Sequence, residues 1–205
     1  MTISNSGIPA EIISAWDKAA TKCANPLGLD EKVLQDSLED CPPRDYEGGT
    51  FLGRFLIPRD FVVYNEQDQP RQKGCDPNHV TNLYNNYLVK DYMTTEEPPI
   101  ASFNDGVLNP TVLKPHSGFN RYKALDRLGQ EIYIYDVYEF ESRYWEVIAA
   151  SASNHHSNPQ LSQTNEDYLK VVTNAVSAQI IPKDEDSIKD FVNKIATDKT
   201  SQSRK

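Results

Sequence analysis

Apolar residues at Ile12, Ile13, Trp16 and Ala19 recur at the spacing of one helical face and predict a short amphipathic helix over 9–20. Residues 30–39 predict a second helix, and the Pro-, Gly- and charge-rich run CPPRDYEGG that follows reads as a linker. The pattern then changes. FLGRFLIP is a short apolar run of strand formers ended by Pro58, and FVVY extends or follows it. The polar stretch NEQDQPRQKGCDPN is a loop that closes with Asp76 as N-cap and Pro77 as first helical residue. The helix it opens places Val80, Leu83, Tyr84, Tyr87 and Leu88 on one face.

After TTEEPP, IASF predicts a strand, and after the NDG turn VLNPTVL predicts another. Ser117 or Gly118 opens the helix NRYKALDRLG, with Gly129 at the position that ends helices. EIYIYDVYEF alternates as a strand and SRYWEVIAASASN follows as a helix. Two further helices are predicted, one from TNEDYLKVVTNAVSA with Thr164 and Asp167 as a capping box, one from EDSIKDFVNKIA. The order strand, helix, strand, strand, helix, strand, helix defines an α+β domain. The expected division is an N-terminal helical extension and linker over 1–48, a core over 49–160, a C-terminal helical segment over 161–197 and a disordered tail over 198–205.

Composition narrows the setting. With 205 residues and 38% hydrophobic content, the chain has material for one core plus extensions. No stretch approaches the roughly 20 apolar residues of a membrane span, and MTISNSGIPAEIISAW lacks the basic start and apolar run of a signal peptide. The expectation is a cytoplasmic protein without a membrane partner. Cys23, Cys41 and Cys75 form no C-x-x-C pair and read as free thiols. The net charge of −9 means that any nucleic-acid contact must use a local basic patch. Lys114, Arg121, Lys123 and Arg127 lie in one segment, and Arg54, Arg59 and Arg71 in another. An acidic protein with ordinary surface arginines fits the same letters.

The segment VLKPHSGFNRYKAL is the informative one. A strand, a tight turn and a helix N-terminus lie in succession, so that Gly118 lets the backbone approach a ligand and the first-turn N–H groups point outward. Arg121 adds a planar charged fork one turn in. These are the parts of an anion site, although an arginine here can equally pair with a carboxylate.

Several further segments, taken with this one, resemble the ParB/sulfiredoxin-like superfamily. FLIPRDFVV, Gln69-Pro70-Arg71, the helix over 77–89, Pro99-Ile100, the Gly118-x-x-Arg121-x-x-Ala124 helix start and Ser153-Asn154 occur in the family's order, across roughly residues 50–175. The resemblance implies a mixed sheet flanked by helices, here with helical N- and C-terminal extensions. It implies a pocket in which Ser117, Gly118, Phe119, Asn120 and Arg121 hold nucleotide phosphates while Gln69, Arg71 and Asn154 complete the site. CTP or ATP with Mg or Mn is the cofactor set that follows, and a stand-alone version from a phage or mobile element is the setting.

This sequence departs from the family's motifs at informative positions. The sulfiredoxin catalytic Cys falls on Phe119, which cannot attack a sulfinate, so that activity is set aside. The Glu and Arg of the clamp motif Glu-Asn-x-x-Arg fall on Ser153 and Ser157, which puts standard CTP hydrolysis in doubt. Only the short segment 164–196 follows the core, less than a helical DNA-reading domain needs.

In the place of that motif stand Asn154-His155-His156, while His116 immediately precedes the turn. His116, His155 and His156 are the candidate general acids and bases, with His155 and Glu139 as candidate metal ligands. Solvated loop histidines and a helix-capping role for Glu141 or Ser142 fit equally, and Tyr84, Tyr87, Tyr133 and Tyr135 sit at core spacing. Three functions follow. The first is a nucleotide-binding phosphoryl-transfer hydrolase, either a DNA nuclease or a nucleotide phosphohydrolase. The second is a non-catalytic CTP or ATP switch acting on a DNA or protein partner. The third is an interaction protein with a degenerate site. The sequence leaves the oligomeric state open.

Overall fold

The computed structural model describes residues 7–64, 75–89, 97–103, 111–153 and 164–201. The elements are α1 (Ala10–Ala20), α2 (Glu31–Asp40), β1 (Gly49–Pro58), α3 (Pro77–Val89), β2 (Ile100–Phe103), β3 (Leu113–Pro115), α4 (Phe119–Leu128), β4 (Ile132–Phe140), α5 (Arg143–Ser153), α6 (Asn165–Ser177) and α7 (Glu185–Ser201). A short 3-10 turn, Arg59–Phe61, follows β1. The architecture is α+β. Its four-stranded sheet runs β1-β4-β2-β3, with β4 antiparallel to β1 and parallel to β2, and β2 antiparallel to β3.

Strand β4 is central, and it is buried without a break from Ile132 to Tyr138. Its two faces enter different clusters, as the two-residue period of a strand requires. Tyr133, Tyr135 and Val137 pack with residues of α1, α3 and α4, including Trp16, Tyr87 and Leu125. Tyr138 packs with Tyr46, Ile100 and two alanines of α5. A third cluster joins Ile148 of α5 to Val171, Phe191 and Ile195, which seats α6 and α7 on α5.

The N-terminal helices dock on the core. Trp16 is 1% exposed, stands edge-on to Phe55 at 5.6 Å, stacks near Phe103, and donates its indole N–H to the Thr111 carbonyl at 2.9 Å. Helix α2 reaches the other face through Arg54. Its guanidinium donates to Asp136 at 2.6 and 2.9 Å, to the Cys41 carbonyl at 2.9 Å and to the Ser37 carbonyl.

Expected punctuation holds at several places. Asp76 accepts from the N–H groups of Asn78 and His79 at the start of α3. Thr164 and Asp167 form the capping box of α6, and Gly129 ends α4 at φ 77°. Other expectations need correction. Leu88, expected on the inward face of α3, is 54% exposed near the helix end. Residues 107–110 of the strand expected over VLNPTVL lie outside the described residues, and β3 begins only at Leu113 and runs on to Pro115. Helix α7 runs to Ser201, and the rest of the expected tail lies outside the described residues. Arg54, expected in a basic surface cluster, has a fully buried side chain. Among the described residues no helix is long and apolar enough to cross a membrane.

Candidate functional site

The turn between β3 and α4 is held by the start of β2. The His116 N–H donates to the Ile100 carbonyl at 2.8 Å, and the Ile100 N–H donates to Ser117 Oγ at 3.0 Å. Ser117 is buried, so its hydroxyl fixes the turn from inside. Gly118 follows at φ 78°, a conformation that favours glycine, and a Cβ placed there would lie 2.5 Å from Pro99 Cβ. Two demands thus meet at one residue: left-handed backbone, and van der Waals approach to Pro99.

Gly118 is the N-cap of α4 and has no side chain to offer the helix's first turn. The Tyr122 N–H donates to the Gly118 carbonyl at 2.8 Å, which makes the N–H groups of Phe119, Asn120 and Arg121 the first-turn donors. By contrast, α2 and α6 are capped by the side chains of Asp30 and Thr164. Phe119 turns inward, 6% exposed and edge-on to Tyr64 at 4.9 Å, so that its backbone alone can serve a ligand. Asn120 Oδ1 accepts from the Asp76 N–H at 3.0 Å and ties the turn to the start of α3. Arg121 Nη1 donates to the Glu97 carbonyl at 2.8 Å.

Glu97 was not among the candidate site residues. Its carboxylate lies 2.6 Å from Arg44 Nε, a residue of the presumed linker. Burial raises the Glu97 pKa, against the opposing pull of Arg44 and then Arg121. The dipeptide Pro98-Pro99 that locks this segment was the available signal, since it fixes the chain between Glu97 and β2.

His116 stands inside the protein. It is 5% exposed, its Nε2 lies 2.8 Å from Ser102 Oγ, and Ser102 Oγ donates to Glu146 Oε1 at 3.0 Å. Ser102 has one proton to give and directs it to Glu146, so it accepts from Nε2–H of the imidazole, whose Nε2 also lies 4.0 Å from Glu146 Oε1. Burial, followed by the charges of Lys114 and Arg143, lowers its pKa to about 3. The ring is therefore neutral near pH 7, with Nε2 occupied, which is a structural place rather than an open acid–base position.

This arrangement predicts a pH dependence. The folded pKa lies below the unfolded one, so the unfolded chain alone takes up a proton as pH falls below about 6.5. Stability contributed by neutral His116 is intact above that pH and declines towards pH 3. Between pH 6.5 and 5 the decline is about 2 kcal/mol. Urea unfolding at several pH values should show a shallower acid slope for His116→Gln than for the parent chain. Parallel slopes would mean that His116 titrates alike in both states.

The remaining candidates divide plainly. Glu139 is exposed on β4 opposite Thr50. Gln69, Arg71, Asn154, His155 and His156 lie outside the described residues. Among the described residues no group of three or more His, Cys, Asp or Glu side chains is arranged to hold a metal ion. Basic side chains near the turn are engaged locally. Arg127 lies over the Tyr84 ring at 4.2 Å and Arg59 pairs with Asp126 at 2.7 Å. The tyrosines at core spacing are buried at 87, 133 and 135.

No family model matches this chain, and no curated protein matches it. Among solved structures, it is similar to the C-terminally truncated chromosome-partitioning protein ParB from Caulobacter crescentus complexed with CTP-gamma-S. That similarity covers 74% of this chain and 79% of the other at 15% identity, with a TM-score of 0.42.

Proposed function

We propose that this chain is a ParB-like domain that binds the phosphates of a nucleoside triphosphate at the N-terminal end of α4. The observation that carries the reading is the Ser117–Gly118 turn. It is pinned to Ile100 by two hydrogen bonds and pressed onto Pro99, and it presents a helix N-terminus whose cap residue has no side chain, with Arg121 one turn further. Helix N-termini favour anions through their exposed N–H groups and dipole, and a guanidinium adds a geometry matched to phosphate. In this reading Arg121 exchanges its bond to the Glu97 carbonyl for a phosphate oxygen.

Gln69 and Arg71, which precede α3 in the sequence, and Asn154, which follows α5, complete the proposed pocket as the family resemblance implies. Binding rather than turnover is the part of this reading that the described residues support. They offer donors to an oxyanion, whereas the adjacent histidine is buried and neutral. Hydrolysis of the nucleotide or of DNA would have to draw on His155, His156 and a metal held there or at Glu139.

The test is a thermal-shift screen with CTP, ATP, GTP and UTP, each with and without magnesium or manganese. One nucleotide should raise the Tm, and Arg121→Ala should weaken its binding by about 10–100-fold, as expected for losing a charge-assisted hydrogen-bonding partner. Phosphate release from the bound nucleotide, or cleavage of single- or double-stranded DNA, would add chemistry to binding. Absence of any shift at millimolar nucleotide would overturn the proposal.

A further inference from the structure

The sheet order leaves β1 at an edge, and its register with β4 decides which of its main-chain groups are free. The Arg59 N–H donates to the Glu131 carbonyl at 2.8 Å, one step beyond the Pro58–Ile132 pair. Antiparallel partners alternate between hydrogen-bonded and non-bonded pairs, so Ile57 and Phe55 turn their N–H and C=O groups to β4, whereas Leu56 and Arg54 turn theirs away. Pro58 falls on the outward side too, where its missing N–H costs the sheet nothing. Among the described residues no turn, loop or side chain bonds to the main-chain N–H or C=O of Leu56 or Arg54.

These groups lie at the floor of a groove of about 560 Å³ between α1, α2 and β1. Helix α1 supplies one wall with Ile13 and Trp16, and α2 the other with Leu34 and Leu38. Ile13, Leu34, Leu38 and Leu56 are half-buried, so apolar surface is left uncovered on both walls and on the floor. Asp17, Glu31 and Lys32 also line the groove and are exposed, and α2 as a whole carries the carboxylates of Glu31, Asp36, Glu39 and Asp40 against the single Lys32. Both walls are fixed from elsewhere in the fold. The Trp16 indole N–H is bonded to the Thr111 carbonyl, the Arg54 guanidinium holds the carbonyls of Ser37 and Cys41 at the end of α2, and between the helices the Leu27 N–H donates to the Gln130 side chain at 3.1 Å.

Sheet edges are ordinarily blunted or covered, because their free main-chain groups are a template for another strand. Here the two helices wall the edge instead of closing over it. We propose that this groove takes an extended peptide of a partner protein, apolar at its centre and flanked by lysine or arginine, which adds along β1 as a further strand. Leu56 and Arg54 each supply one main-chain donor and one acceptor, the set that an extended chain matches. Successive side chains of such a peptide turn to opposite walls, where they meet Ile13 on one side and Leu34 and Leu38 on the other. The flanking cations answer Asp17, Glu31 and the acidic excess of α2. Because the walls are already set, binding orders little on this side of the interface. The groove lies at the opposite edge of the sheet from β3, which leads into the α4 turn, and its use does not depend on nucleotide.

The probe is an equimolar pool of end-capped Lys-x-x-x-Lys peptides, with x drawn from Val, Ile, Leu and Thr, added to the nitrogen-15-labelled full chain. The amides of Leu56 and Arg54 should shift, and their hydrogen exchange should slow about tenfold when the pool stands near ten times its Kd. The amides of Phe55 and Ile57, already bonded to β4, should change little. A pool methylated on its main-chain nitrogens keeps the side chains but loses the donors, and should bind about tenfold more weakly. Leu38→Glu should remove binding. If that variant fails to fold, Asp17→Lys alters exposed charge alone and should weaken the lysine-flanked pool about threefold while leaving a glutamate-flanked pool no weaker. Arg121→Ala should bind the pool as the parent does, whatever its effect on nucleotides. Equal binding of the methylated pool would reduce the groove to a sticky cleft and overturn the inference. Self-association of the chain that protects the Leu56 and Arg54 amides without peptide would give the edge to a second copy and also overturn it, as would the absence of any shift at millimolar pool.

Discussion

Replacing Arg54 with alanine is expected to destabilise the fold by about 3–5 kcal/mol, the effect of removing one member of a buried ion pair. Arg54 is on β1 and its partner Asp136 lies directly opposite on β4, with side chains 0% and 3% exposed. Burial raises the Asp136 pKa, and Arg54 opposes that shift through its hydrogen bonds and charge. Without Arg54 the carboxylate either takes up a proton or stays charged and unmatched. The same substitution frees the carbonyls of Ser37 and Cys41, which the guanidinium serves at the C-terminal end of α2. Denaturant unfolding should therefore show a large drop in midpoint for Arg54→Ala. Arg54→Met combined with Asp136→Leu should recover much of the loss, because no buried charge then remains. A single variant within about 1 kcal/mol of the parent would show that water reaches Asp136, contrary to its burial.

The second large effect is expected at Gly118. An alanine there meets both a left-handed backbone, costing about 1–2 kcal/mol, and a Pro99 contact that forces a shift costing roughly 1–3 kcal/mol more. Gly129 provides the internal control. Its φ of 77° matches the 78° of Gly118, yet a Cβ there has nothing within 4 Å. Gly129→Ala should therefore carry the backbone penalty alone, and the difference between the two variants measures the packing of the turn on Pro99. The consequence reaches function, since moving Pro99 moves the neighbouring Glu97 and the carbonyl that positions Arg121. Nucleotide binding should fall in Gly118→Ala under conditions where both variants remain folded. Equal stability losses at the two glycines would contradict the close approach.

Local rules carried the sequence reading where the determinants are themselves local. The Asp76-Pro77 start of α3, the Thr164–Asp167 box and Gly129 are decided within a few residues, and each appears as expected. The α+β class also follows from element order. Long-range partnerships were not legible. Arg54 looks like any surface arginine until the sheet brings it to Asp136, 82 positions later in the chain. His116 looked like a pocket base because it adjoins the turn, but its Nε2 meets Ser102 of β2, and Glu146 arrives from α5. Arg44 lay in a stretch whose prolines and glycines read as a spacer. Only the fold shows that it faces Glu97.

The most direct measurement is a nitrogen-15 amide titration with the nucleotide that gives the largest thermal shift, repeated with Arg121→Ala. The account predicts that the amides of Phe119, Asn120 and Arg121 move first and furthest, saturate with one binding constant, and stay in place in the variant at the same ligand concentration. Large shifts elsewhere, with these three amides unmoved, would place the ligand away from α4 and contradict the account.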